Sequence, residues 1–188
     1  MKKSIGSSTY IFPTPVLVVC TYDNQGKANA MTAAWGGVCC SRPPCVYVSL
    51  RKATYSYGNI VEREAFTVNI PSIHHMKEAD YFGVASGRDR DKFADTGLNP
   101  IKSKLVDAPY VQEFPLSLEC KLVHTFELGL HTQFVGQVLD VKVDEVVLGE
   151  NGRPDIEKVQ PFSFAPGMNR YYQVGSYIGD SHRIKKWE

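Results

Sequence analysis

A chain of 188 residues with 43% hydrophobic content can bury roughly 70% of its unfolded surface in one core, which favours a single domain over residues 1–188 and needs no metal or cofactor merely to fold. Lys plus Arg number 21 against 20 for Asp plus Glu, and the net charge of +1 gives no field for holding nucleic acid, so any cationic site must be local. The longest early apolar run, Val16 to Cys20, is far short of the ~20 residues that cross a bilayer.

Lys2 and Lys3 are followed by polar residues and no cleavage pattern closes the apolar run, so the chain is expected to be soluble and cytoplasmic with no membrane partner. From there, continuous or period-two apolar runs predict strands at 16–22, 28–40, 45–50 and 65–70, with a Gly-ended turn at 23–26 making the first two antiparallel neighbours. Short helices are predicted over 54–63, where Tyr57, Ile60 and Val61 share a face, and 74–86, where Met76, Ala79 and Phe82 do. A third is predicted over 90–97, with Gly97 as its stop. Two long alternating runs, 116–130 and 134–148, flank a candidate turn at 129–133. Residues 149–188 look less regular and are expected to wrap the body or cross to a second subunit. Strands outnumber helices without βαβ alternation, so a mainly β fold is expected, an antiparallel barrel with a few short peripheral helices.

Alternation stops near Leu50 and the helix opens at Thr54 or Tyr55, which puts Arg51 and Lys52 in a tight strand-to-helix connection. A helix start offers N–H groups without intrahelical partners and a partial positive charge. With Ser49, Thr54 and Ser56 as hydroxyl donors and Arg51 as a planar fork, the corner fits an anion. The same residues also fit solvated loop cations with Thr54 capping the helix. The preceding strand, from Asn29 to Val38, mixes small residues with Trp35, Gly36 and Gly37. Small side chains allow a flat heterocycle to approach the backbone, or equally let a barrel strand accommodate a bulky neighbour.

Dinucleotide and P-loop glycine patterns are absent. Cys39, Cys40 and Cys45 lack metal-ligand spacing, as do His74 and His75. Five cysteines make an odd number with no disulfide framework, and neighbours Cys39 and Cys40 cannot readily bridge each other. The run 87–93 concentrates Arg88, Arg90 and Lys92 among acids, the pattern of a self-paired surface. His131 is expected at the sheet rim, and Phe164 by default in the core.

Two stretches tie these pieces together: Asn-Ala-x-Thr-x-x-Trp at 29–35 and Ser-Leu-Arg-Lys-x-x-Tyr-Ser at 49–56. At this separation they resemble the flavoredoxins of the flavin reductase-like family, whose fold is an FMN-binding split β-barrel. The resemblance is dense from 5 to 105 and looser beyond. It implies FMN, with its phosphate at the 49–56 corner and its ring system against 29–35. It implies flavin contacts at Asn29, Trp35, Ser56, Lys92, His131 and Phe164, Ser56 standing where relatives often carry Thr. With the corner and strand residues, the candidate cofactor set adds Thr32, Ala33, Ser49, Leu50, Arg51, Lys52, Thr54 and Tyr55. It further implies a homodimer and an oxidoreductase moving electrons from NAD(P)H to flavin and on to an acceptor. Alternatives are an electron-transfer flavoprotein reduced by a redox partner protein, and a non-catalytic ligand-binding module. Hydride transfer at a flavin requires no side-chain acid or nucleophile, so no catalytic residue is nominated. Arg51→Ala is expected to weaken FMN binding by about 1.5 to 3 kcal/mol.

Overall fold

The computed structural model describes residues 1–182. In chain order the first elements are β1 (Thr14–Pro15), β2 (Leu17–Tyr22), β3 (Ala28–Ala33), β4 (Gly36–Ser41), β5 (Pro44–Arg51), α1 (Tyr55–Arg63) and β6 (Ala65–Ile70). A 3-10 turn at Ile73–His75 leads into α2 (Met76–Val84), followed by α3 (Lys92–Thr96), β7 (Pro100–Lys102) and β8 (Pro109–Val111). Then come β9 (Leu116–Leu128), β10 (His131–Val143), α4 (Ile156–Val159), β11 (Phe162–Ala165) and β12 (Arg170–Gln173).

Seven strands form one antiparallel sheet in the order β3-β2-β6-β9-β10-β5-β4. Its two outermost strands, β3 and β4, are consecutive in the chain and joined only by Ala34 and Trp35. Laid flat, seven strands would hold those edges roughly 29 Å apart. Three Cα steps, from Ala33 to Gly36, reach about 11 Å at most. The sheet must therefore curl on itself, and the amide of Ser49 donates to the Trp35 carbonyl at 2.7 Å, carrying the β4–β5 pairing into the connection. The fold is a split β-barrel with few short helices.

This closure corrects the single strand expected over 28–40. Gly36 makes the crossing possible, because a Cβ there would lie 2.5 Å from Leu17 Cδ1 and 2.8 Å from the Tyr47 carbonyl. The turn expected over 129–133 is tighter: only Gly129, at φ +58°, and Leu130 lie between β9 and β10. His131 thus opens β10, and the strand expected to run to 148 ends at Val143, before a 3-10 turn at Glu145–Val147.

Unbroken apolarity in β2 follows from burial on both faces. Leu17 and Val19 point into the barrel among Val48, Leu50, Phe66 and Phe134. Val16, Val18 and Cys20 point outward under Ala79, Phe82, Phe93 and Phe162. The second cluster holds α2 and α3 against the barrel. Part of the irregular C-terminal stretch returns to the N-terminus, where β11 pairs with β1 and Thr14 Oγ1 donates to the Phe164 carbonyl at 3.0 Å. Residues 183–188, included in the expected wrapping segment, lie outside the described residues.

Candidate functional site

Where β5 hands over to α1, Thr54 occupies the N-cap position with extended backbone, yet its hydroxyl donates to the Arg51 carbonyl at 2.9 Å and no side chain caps the helix. The first-turn N–H groups of α1 are left without a capping acceptor, and no acidic side chain sits in that turn. Such an end attracts negative charge.

The start of α1 lines a cavity of about 220 Å³ together with Asn29 and Met31 of β3, the last turn of α2, the segment 85–88 and Lys92. Asn29 Nδ2 donates to Ser56 Oγ at 2.8 Å, a buried bond that locks β3 to α1 and leaves the Ser56 proton free to donate. On the other side, Asp23 organises the β2–β3 turn by accepting from the amides of Gln25 and Lys27, both at 2.9 Å, and takes the Tyr55 hydroxyl proton at 2.9 Å. Burial works to raise the Asp23 pKa, but those three hydrogen bonds outweigh it and hold the carboxyl below its ordinary value. Burial, then the bond to Asp23, raises the Tyr55 phenol.

Gly87 lets the 85–88 segment lie flat on this floor: a Cβ there would stand 2.1 Å from Asn29 Oδ1 and 2.7 Å from Tyr55 Cδ1. The adjacent Arg88 reaches back to α1, donating to the Ala53 carbonyl at 2.9 Å, with its guanidinium carbon 5.4 Å from the Tyr55 ring centroid. Lys92, only 4% exposed, donates to the Phe82 and Ala85 carbonyls, each at 3.1 Å, at the end of α2. No carboxylate pairs with it among the described bonds, and burial pushes its pKa down to about 8.

A second cavity of about 210 Å³ adjoins the first through Gly83 and Val84, and is lined by Thr32, Ala34, Phe164 and Tyr171. Tyr171 is anchored there by donating to Asp80 Oδ1 at 2.8 Å.

Of the residues nominated from sequence, Asn29, Thr54, Tyr55, Ser56 and Lys92 meet in the first cavity, and Thr32 and Phe164 in the second. Ala33 and Leu50 turn into the barrel core. Trp35 sits at the closure, its carbonyl bound by Ser49. Arg51 is exposed and directly opposite His131 across β5 and β10. Lys52 turns away to Glu127 at 2.5 Å. In β-pairing, opposed residues share a face, so Ser49, Arg51, His131 and Gln133 stand on one outer face with Phe126 and Leu128. The structure does not bring that group into the cavity holding Lys92. Arg88 was missed: it lay in a charge-rich run that reads as self-paired surface, which is true of its neighbour Arg90, bound to Asp95 at 2.8 and 2.9 Å. Gly87 beside it was the available signal of a close backbone approach.

The model of the flavin reductase like domain matches residues 9–164. Among solved structures, the flavoredoxin of Desulfovibrio vulgaris (Miyazaki F) is 52% identical, covers 99% of this chain and 100% of its own, and superposes with a TM-score of 0.94. The flavoredoxin from Methanosarcina acetivorans is 32% identical, with 99% and 98% coverage and a TM-score of 0.92. The high molecular weight rubredoxin of Moorella thermoacetica is 32% identical over 105 residues, 55% of this chain and 44% of that protein. With an uncapped helix start, two cations and paired cavities inside the matched span, the chain belongs to the flavin reductase-like family.

Proposed function

We propose that this chain binds FMN across the two adjoining cavities and acts as a flavin-dependent oxidoreductase, accepting electrons from NADH or NADPH and passing them to an acceptor. The donor set carries the reading: a buried, carboxylate-free ammonium at Lys92, the Arg88 guanidinium and an uncapped α1 converge on one cavity. This is the chemistry an anionic cofactor requires.

Thr54, Ser56, the α1 amides and Arg88 would hold the phosphate. Lys92 would set a positive field, its ammonium form held to higher pH when an anion enters. Thr32, Phe164 and Val84 line the apolar approach for the ring system. Bound FMN supplies the hydride and electron chemistry. The protein supplies orientation, shielding from water and local charge.

A second reading is favoured by the likeness to flavoredoxins and to a rubredoxin-named protein: an electron-transfer flavoprotein reduced by a partner protein. For both readings we propose a cytoplasmic protein, the compartment in which free cysteines such as these five are usual and disulfides form only transiently. The exposed face bearing Phe126, Leu128 and Leu130 we assign to contact with a second copy, which would bring Ser49 and His131, on that same outer face, to a subunit interface.

Titration of the purified chain with FMN tests the cofactor, a colourless protein with no uptake overturning it in favour of a non-catalytic module. Anaerobic mixing of the loaded protein with NADH or NADPH separates the two redox readings. Rapid bleaching of the visible flavin band supports the reductase, and inertness supports the carrier.

A further inference from the structure

Between β4 and β5 the register runs Val38 opposite Val46 and then Cys40 opposite Cys45, leaving Cys39 as the extra residue of a β-bulge. In a bulge two residues of one strand oppose one of the other. Here all three are cysteines. Cys39 and Cys40 are exposed, while Cys45 is 7% exposed beneath them. Burial raises the Cys39 and Cys45 thiols first, and the neighbouring thiols of the trio raise them further, as close approach requires.

Directly opposed residues in an antiparallel pair have Cα atoms about 4.5–5.5 Å apart, inside the window of roughly 4.4–6.8 Å that a disulfide spans. Adjacent Cys39 and Cys40 are only ~3.8 Å apart, too close for an ordinary bridge. Cys45 is therefore the common partner. Among the described residues no group of three or more His, Cys, Asp or Glu side chains is arranged to hold a metal ion; what the trio does present is the opposed register of Cys40 and Cys45, within disulfide reach.

We propose that the β4–β5 bulge is a reversible thiol–disulfide site at which Cys40 and Cys45 close a cross-strand bond by exchange with a small dissolved disulfide such as oxidised glutathione. The Cys40 thiolate attacks one sulfur of the small disulfide, forming a mixed disulfide and releasing one thiol. The Cys45 thiolate then attacks the Cys40 sulfur, expels the second thiol and completes the internal bond. Two protein thiols are oxidised, one small disulfide is reduced, and the protons leave on the two released thiols. Cys45 and Arg51 stand at opposite ends of β5, about 20 Å apart along the strand. The site is a separate redox centre and not a reductant in contact with the proposed cofactor pocket.

Incubation of the full chain with oxidised glutathione, read by intact mass and free-thiol titration, tests this. Closure removes two hydrogen atoms and two titratable thiols, leaves the chain monomeric by covalent mass, and reverses with dithiothreitol. Its rate should rise about tenfold per pH unit below the thiol pKa values. Cys39→Ser and Cys40→Ser lie at exposed positions: the first should close like the wild type and the second should not. Cys45→Ala should stop at a glutathione adduct. A stable adduct without closure in the wild type, covalent dimers, no reaction in the folded protein, or loss of closure in Cys39→Ser or Cys120→Ser instead would each overturn the proposal.

Discussion

Arg88 and Lys52 carry the same charge and have opposite surroundings. Arg88 lines the cavity at the start of α1, whereas Lys52 is spent on Glu127. Arg88→Ala is expected to weaken FMN binding by about 1.5 to 3 kcal/mol, the scale of a lost charge-assisted hydrogen bond. Lys52→Ala should change it little, and Arg51→Ala should fall between them, since Arg51 is exposed at the edge of the corner. Equilibrium titration of the three variants checks the order. Lys92 has a different signature. Its pKa is about 8 in the folded chain and near 10.4 unfolded. Below pH 8 it is charged in both states and its burial is a full liability. Between those values the folded chain releases its proton first, so the contribution to stability rises with pH, and above them it vanishes. Lys92→Met should flatten that rise relative to the wild type in urea unfolding between pH 7 and 10. FMN, if it binds here, should shift the rise upward by stabilising the ammonium.

At the scale of elements, the 85–88 segment shows why part of the site was hidden. Ser56 was legible as a hydroxyl at the expected start of α1, whereas Asn29 and Lys92 were nominated through the family resemblance, Lys92 lying in the same charge-rich run as Arg88. Arg88 depends on a turn whose path is set by the close approach of Gly87 to Asn29 and Tyr55, a contact 58 residues from one partner in sequence and invisible to local periodicity. Gly87→Ala is expected to reduce stability by about 1 to 3 kcal/mol, as overpacking does, and to weaken FMN binding by unseating Arg88; thermal unfolding and titration separate the two effects. Strand positions were readable from continuous or alternating apolar runs in β2, β5, β6, β9 and β10. The break in the 28–40 run was signalled only by Gly36 and Gly37, which permit a sharp bend without requiring one, while Ala34 and Trp35 are themselves compatible with a strand. His131 was placed at the rim correctly in kind, but its grouping with Ser49 and Arg51 on the outer face follows from the β5–β10 register, which the sequence alone does not specify.

Over the whole molecule, apolar content was enough to expect one core, and the excess of strand runs over helical ones without βαβ alternation a β-rich body around it. The order of its strands was not, since seven antiparallel strands admit many orders and only long-range packing selects one. Phe126, Leu128 and Leu130 are 52%, 58% and 64% exposed at the tip of the β9–β10 hairpin, more large apolar surface than a lone hairpin tip favours. Leu128→Asp is expected to convert a dimer to a monomer in sedimentation equilibrium without loss of thermal stability in the separated chain; a wild type that is monomeric at all concentrations would contradict the second-copy assignment. Finally, the Ala34–Trp35 crossing acts as a hoop. A nick at the exposed Asn24–Gln25 turn would leave the sheet's circumference intact, whereas one at the hoop would let it uncurl, parting the ligand-facing side of β3 from the helix start that β5 carries. Chain continuity at that single joint is what makes two distant edges behave as one rim.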